Sequence, residues 1–373
     1  MAGAYTPGLT VSGDIVVRRI RRLPIKGEVL VKDGDPVLPN TPVARALLPG
    51  ALQTIKFAEK LGVEAKDAES QSPLKPGDPI EKGQVIAESK GFLGRFKHQV
   101  ISEFTGTVDS ISTVTGNMLV REPPIPVEID AYIEGKIVDI LPAEGAIVET
   151  RCAMVQGIFG VGGERTGVIR VAVSGADKPL DAADIQPTDA GKFLVGGSGV
   201  TADALTKAGT VGIAGIVTGG VRDADLIKLL GYDIGVAITG QENLPFTLVV
   251  TEGFGFLAMA ARTFELLKTL EGRHASINGA TQIRAGVIRP EVIAPLAADA
   301  PKSAVSRQSF ELTIGTPIRV IREPYFGQLG TVTELPSQLV VVDSGTEVRV
   351  LKAKLADARD VVVPRANVEI IAN

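Results

Sequence analysis

With 373 residues, 45% of them hydrophobic and 22% charged, the chain is too apolar to stay disordered and too long for one ordinary core, so two to four domains are expected. A net charge of −4 excludes a broad nucleic-acid surface, which needs clustered excess Lys and Arg, and leaves only local contact. The single Cys152 excludes an intrachain disulfide, and with His98 and His274 far apart no zinc-ligand spacing or Cys/His pair arises, so no metal, cofactor or catalytic residue is assigned.

Residues 1–22 read as an N-terminal arm. They lack the continuous apolar core of a signal peptide, and no stretch of eighteen apolar residues occurs in the sequence, so a cytoplasmic protein with no integral membrane segment is expected. Arg18, Arg19, Arg21 and Arg22 form the densest basic run. In an alternating strand such a run is usually one solvated face; the sharper reading is contact with acidic lipid, RNA or a partner.

Residues 31–44 (VKDGDPVLPNTPVA) and 74–87 (LKPGDPIEKGQVIA) are two copies of one pattern, matching at Lys32/Lys75, Gly34/Gly77, Asp35/Asp78, Pro36/Pro79, Val37/Ile80, Val43/Ile86 and Ala44/Ala87. Self-similarity of this kind signals a duplicated supersecondary unit. Each copy reads as a strand, a Gly-Asp turn and a returning strand; the glycine supplies positive φ and the Asp bonds the next backbone amides. Because a lone hairpin cannot bury its apolar face, the two copies are expected to face each other in one closed sheet. A weaker echo relates GTVDSISTVTGNMLV (106–120) to GKIVDILPAEGAIVE (135–149).

On these motifs, above all GDPIEKGQVIAE followed by SEFTGTVDSIS, residues 23–150 resemble the barrel-sandwich hybrid. That is the flattened β-barrel of biotinyl and lipoyl carriers, found also in the β′ subunit of bacterial RNA polymerase and the C subunit of the Rnf complex. The resemblance implies a hairpin tip that carries an attachment lysine in carriers. Here the interval 89–101 (SKGFLGRFKHQVI) holds Lys90 between Ser89 and Gly91, so the carrier signature is absent. Phe92, Leu93, Arg95 and Phe96 make this finger a partner-binding candidate, set against the plainer reading that both Phe side chains cap the barrel.

The texture changes over 151–297. KFLVGGSGVTADALTKAG reads as buried strand, Gly-rich turn and helix with Thr201 as N-cap, and VGIAGIVTGGVRDADLIKLLG repeats it with Asp223 near the cap. YDIGVAITG and FTLVVTEG continue the apolar strands, and FGFLAMAARTFELLKTLEG is the longest helical pattern. A small parallel or mixed α/β sheet covered on both faces is expected. Its loops offer an anion- or nucleotide-binding candidate in Gly196, Gly197, Ser198, Gly199 and Thr201, with Gly219, Gly220 and Asp223 opposite. GGSGVT is neither a Walker loop nor a GxGxxG fingerprint, and tight strand-to-helix turns need glycine anyway.

Residues 298–313 lose apolar periodicity and read as a linker. After it, GTPIRVIREPYFGQLGTVTEL (315–335) places a strand, an Arg-Glu-Pro turn, an aromatic pair, and Gly327 and Gly330 before a second strand. This segment looks like the KOW motif of NusG-type transcription factors and certain ribosomal proteins. The resemblance implies a small SH3-like barrel over 314–373 whose loop contacts RNA, polymerase or ribosomal protein. Arg319, Arg322, Tyr325 and Phe326 are the partner-binding candidates there, although seven basic residues against seven acidic ones over 315–373 make the segment neutral.

The fold class expected is thus multidomain α+β: arm, barrel-sandwich hybrid, α/β domain, linker and KOW barrel. The function expected is non-catalytic binding or assembly through protein partners, with homo-oligomerisation, or RNA, ribosome or polymerase contact, as variants. A nucleotide- or phosphometabolite-binding protein or enzyme is the first alternative, and a peripheral subunit of a membrane redox complex the second.

Overall fold

The computed structural model describes residues 9–88, 98–232, 242, 244–281, 288–297, 300, 312–320, 322, 324–325, 327–336, 338–341 and 347–370. Among these residues strand outweighs helix, 46% against 15%, and the sheets are mixed. The chain opens with β1 (Val11–Arg22), β2 (Glu28–Val29), β3 (Pro36–Val37) and β4 (Pro42–Leu48). Next come β5 (Leu52–Ile55), α1 (Phe57–Leu61), α2 (Ala68–Gln71), β6 (Pro79–Ile80), β7 (Val85–Glu88), β8 (Gln99–Ile101), β9 (Gly106–Ile111) and β10 (Met118–Arg121). Then β11 (Ile125–Asp130), β12 (Gly135–Leu141) and β13 (Gly145–Gln156) follow.

These strands form two modules, one nested inside the other. The outer module has the strand order β1-β13-β12-β3, with β11-β4-β2 as its second sheet. The inner module has the order β5-β10-β9-β6, with β7-β8 beside it. The inner module occupies the chain between Leu48 and Ile125, which are themselves ladder partners on β4 and β11.

The two modules repeat each other bond for bond. Lys32 N donates to Asp35 Oδ2 at 2.8 Å, and Lys75 N to Asp78 Oδ2 at 2.7 Å. The Asp therefore bonds an amide three residues back instead of the next ones. Gly34 and Gly77 stand at φ 89° and 98°, where any other residue would be strained. Gly34 N donates to Ile137 O and Gly77 N to Val108 O, while Ile137 N and Val108 N return bonds to Asp35 O and Asp78 O. Pro36 and Val37 face Lys136 and Gly135, just as Pro79 and Ile80 face Thr107 and Gly106. A bulge skips Val138 in one copy and Asp109 in the other. Across the β9–β10 turn, one residue longer than its counterpart, Met118 stands in the place of Ala146.

One closed sheet over 23–150 is therefore not what forms, and the two Gly-Asp stretches do not face each other. The strand after each turn pairs with one strand of the weaker echo and buries its apolar side chains there. Val37, Val43 and Ala44 pack with Ile137, Ala146 and Val148; Ile80, Ile86 and Ala87 pack with Val108, Met118 and Val120. Two separate cores result.

Residues 11–22 are not a loose arm either, because β1 pairs with β13 from Val11 to Arg22. Nor does a boundary fall at 150/151: β13 passes through it unbroken and joins the outer module to the central sheet through β22. That sheet adds β14 (Phe159–Val161), β15 (Glu164–Val171), β16 (Pro179–Leu180), β17 (Lys192–Val195), β18 (Gly199–Val200), α3 (Ala202–Val211), β19 (Gly215–Val221), α4 (Asp223–Leu230), β20 (Thr247–Phe254), α5 (Ala261–Thr269), β21 (His274–Asn278) and β22 (Glu291–Pro295). Its strand order is β14-β20-β19-β17-β15-β21-β22-β13-β12-β3, with β15, β17, β19 and β20 parallel.

The parallel strands read as unbroken aliphatic runs because both faces are covered. Leu194, Ile216 and Leu248 meet Leu205 of α3 and Leu226 of α4; Phe193, Val217 and Val249 meet Phe264 and Leu267 of α5. Thr201 caps α3 by accepting from Ala204 N, and Gly212 ends it at φ 76°. α5 starts later than its sequence pattern, because Leu257 N and Met259 N donate to Ser198 O and Ala176 O before the helix begins. The strand read over 233–240 lies outside the described residues.

Last come β23 (Pro317–Val320), β24 (Leu329–Glu334), β25 (Leu339–Val341), β26 (Glu347–Leu355), β27 (Asp360–Pro364) and β28 (Val368–Ile370). They form one sheet of order β25-β26-β24-β23-β28, with β27 on β26, around Ile318, Val332, Leu351, Val363 and Val368. Most of the linker read over 298–313 lies outside the described residues.

Candidate functional site

In open parallel sheets ligands sit beyond the carboxyl ends of the strands. Here the four loops that leave β15, β17, β19 and β20 converge there: Gly219 packs on Gly197, Gly196 on Thr218, and Gly220 on Gly255. The amides needed to hold an anion are, however, already committed. Gly196 N donates to Val217 O, Gly197 N and Ser198 N both to Lys178 O, and Gly219 N to Gly197 O.

Glycine is needed at these positions to let backbone meet backbone. A Cβ on Gly197 would lie 2.3 Å from Gly175 O and 2.4 Å from Lys178 O; on Gly219, 2.1 Å from Leu257 O; on Gly220, 2.1 Å from Gly255 O. The Phe256 ring covers Gly199, and the Arg222 guanidinium sits 5.3 Å from its centroid. Thr201 is spent on capping α3, and Asp223 is exposed in the first turn of α4. The crevice is filled by its own loops.

The arginine run of β1 has a different fate from the solvated face expected of it. Each of the four cations meets a carboxylate: Arg18 with Glu149 at 2.7 Å, Arg22 with Glu144 at 3.1 Å, Arg19 Nε with Glu291 at 2.7 Å, and Arg21 with both oxygens of Glu164 at 2.7 Å. Arg18 and Arg22 are exposed, so those pairs contribute little. Arg19 and Arg21 point into the junction of the outer module with β15, β21 and β22, where they tie β22 and β15 to β1.

Tyr132 sits in the same junction, buried and at φ 68°, a left-handed backbone rare for an aromatic residue. Its amide donates to Pro39 O, its carbonyl accepts from Ser276 Oγ at 2.6 Å, and Arg21 lies 5.4 Å from its ring centroid. Burial, then Glu291 and Glu164, hold its hydroxyl well above the ordinary tyrosine range. Burial works to lower the Arg19 pKa, but Glu291 more than offsets it. The pattern that marks this lock in sequence is the i, i+2 spacing of Arg19 and Arg21, which puts both on one face of a strand. Their partners, 143 and 272 residues away, carry no local signal.

In the C-terminal sheet, Arg319 is not on a solvent-facing loop. It is 3% exposed, pairs with Glu252 of β20, and donates from Nη1 to Thr251 O at 3.1 Å. Glu252 Oε1 also accepts from Ala260 N, ahead of α5. Gly327, at φ 80°, brings the loop to within 4 Å of where a Cβ on Gly253 would stand. Arg322 is exposed, and Tyr325 packs against the sheet core with Arg359 5.5 Å from its centroid. Phe326 lies outside the described residues, as do Phe92, Leu93, Arg95 and Phe96.

Cys152 is fully buried on β13. Burial pushes its thiol up to about 12, with Arg19 working in the opposite direction and Glu291 and Asp14 adding to the rise. A thiol reagent at pH 8 should leave the native protein untouched and label it only once denatured; labelling of the native chain within minutes would show the site to be open. The folded thiol keeps its proton where the unfolded one, near pH 9, loses it. Its contribution to stability is therefore complete below pH 9 and falls by about 1.4 kcal/mol per pH unit up to about pH 12. Cys152→Ala should flatten that stretch of the alkaline unfolding profile.

No metal-binding group of His, Cys, Asp and Glu occurs among the described residues, and no described helix is long and apolar enough to cross a membrane. No protein-family model matches the chain, and no curated protein matches it.

Proposed function

We propose that this is a non-catalytic, cytoplasmic binding and assembly protein whose small β modules dock partners around a rigid α/β centre. The nesting carries this reading: one strand unit occurs twice, the second copy mounted on the hairpin end of the first, with the first built into the central sheet. Doubling a unit and setting it out on a ribbon multiplies contact surface and asks nothing of bond-making chemistry. Each module has the Gly-Asp turn and paired hairpin that resemble the barrel-sandwich hybrid, without the carrier signature. The C-terminal sheet suits a KOW-type SH3-like barrel. With Arg319 committed inside the protein, its outward contact rests on Arg322 and the residues beside it.

A protein partner fits the neutral charge of that segment better than RNA, and a homo-oligomer is the simplest case of one. The spent amides at Gly196, Gly197, Ser198 and Gly219 weigh against a nucleotide at the strand ends. Purification of the untagged native protein, followed by its mass in solution and identification of whatever accompanies it, tests the proposal. A homogeneous oligomer or a stoichiometric companion is the expected result. A bare monomer that is stabilised by nucleotides or phosphorylated metabolites in a thermal-shift screen would overturn it.

A further inference from the structure

The ribbon that joins the two modules is one antiparallel ladder with a gap. On the outer side Leu48 faces Ile125; four residues further along, in the same register, Leu52 faces Arg121 on the inner side. No strand is added or lost between them, so a continuous β ribbon was open to this chain.

Residues 49–51 (PGA) and 122–124 (EPP) break it. Pro49, Pro123 and Pro124 lack the N–H a ladder needs. Three bonds span the break: Glu122 N to Ala51 O at 2.9 Å, Gln53 Nε2 to Glu122 Oε1 at 2.9 Å, and Arg121 Nη1 to Gly50 O at 3.4 Å.

Among the described residues, no element of one module packs extensively on an element of the other. Their cores share no residue, and no described ion pair runs from one to the other. Of the apolar side chains beside the break, Leu48 is half-buried, while Leu47, Leu52 and Ile125 are 63%, 47% and 56% exposed, so these three wedge it against neither core. A rigid mount would bury them. At Gly50 a Cβ would lie 1.9 Å from Glu122 O, so the two strands touch backbone to backbone there.

We infer that residues 49–51 and 122–124 form a hinge on which the inner module turns as a rigid body relative to the outer module and the central sheet. Hinges of this kind are a few element-terminal residues that absorb the dihedral change while packed bodies on either side stay intact. The joint belongs to the ribbon and holds whatever either module binds.

Spin labels on the full chain at Asp33→Cys in the outer module and Val114→Cys in the inner one read the motion directly, with buried Cys152 remaining unlabelled. Asp33 is exposed, and Val114 is 86% exposed. A control pair, Lys82→Cys with Val114→Cys, lies wholly within the inner module. The expected result is an inter-module distance distribution at least twice as wide as the control. Replacing the prolines by ladder formers, in Pro49→Thr with Pro124→Val, should narrow it toward the control width. Gly50→Ala, which forces the strands apart, should shift its mean while leaving the control pair unchanged. An inter-module distribution as narrow as the control overturns the hinge, and a wide one indifferent to the proline replacements overturns its placement.

Discussion

Glu252→Gln is expected to destabilise the protein by about 3–5 kcal/mol, the cost of leaving one partner of a buried ion pair without the other. The carboxylate and the Arg319 guanidinium are 9% and 4% exposed, so water cannot replace the lost charge. The substituted amide can still accept from Ala260 N through its oxygen, but its nitrogen then turns a donor toward a cation that is itself all donors. Arg319 keeps its bond to Thr251 O, which offers a carbonyl dipole but no charge.

This pair joins the C-terminal sheet to β20. Hydrogen exchange should therefore rise first on β23 and at the start of α5, ahead of global unfolding. Because several cores are present, two-state analysis does not apply, and the first transition in urea is the quantity to compare. The double variant Glu252→Leu with Arg319→Met, which removes both charges, should recover part of the loss. A single variant within about 0.5 kcal/mol of the parent would mean that the pair is wet in solution and that the C-terminal sheet is not held by it.

Gly197→Ala should cost about 3 kcal/mol or more with no ligand present. The new methyl would sit 2.3 and 2.4 Å from two backbone oxygens that cannot rotate away, beyond ordinary overpacking. Relieving it means pulling the 175–178 loop off the amides of Gly197 and Ser198, so two hydrogen bonds to Lys178 O are lost as well. Gly163→Ala is the matched control, since its Cβ would meet nothing within 4 Å, and its effect should stay within about 0.5 kcal/mol. If Gly197→Ala matched that control in stability yet abolished a nucleotide-induced shift, the strand-end loops would be a ligand site after all. Stability lost without ligand is the signature of glycine serving the packing.

Much of the local structure was readable. The Gly-Asp turns, the Thr201 cap, the two strand-turn-helix units and the Gly327 turn each depend on a few neighbouring residues whose conformational preferences are strong. The candidate site was legible in the same partial way: glycine at the strand ends was visible, and so was the meeting of the two Gly-rich loops. What lay beyond reach was the far side of each contact. Lys178 O, Leu257 O and Gly255 O carry no sequence signature, because every residue has a carbonyl. The same holds for charge, since Arg19, Arg21 and Arg319 looked available only while Glu291, Glu164 and Glu252 were unknown as neighbours.

The repeats show the division most sharply. From composition and spacing alone, this chain is committed to β units with tight Gly-Asp turns, to a doubled pattern, and to an apolar α/β centre, because turn chemistry and hydrophobic period act over a handful of residues. Which strand meets which was settled only in three dimensions. Val37 closes on Gly135 and Ile80 on Gly106, making two nested cores where one shared sheet was equally compatible with the pattern. Pairing across 98 residues in one copy and 26 in the other is chosen by the total apolar surface buried when all the strands are in place, and no short window of sequence contains that sum.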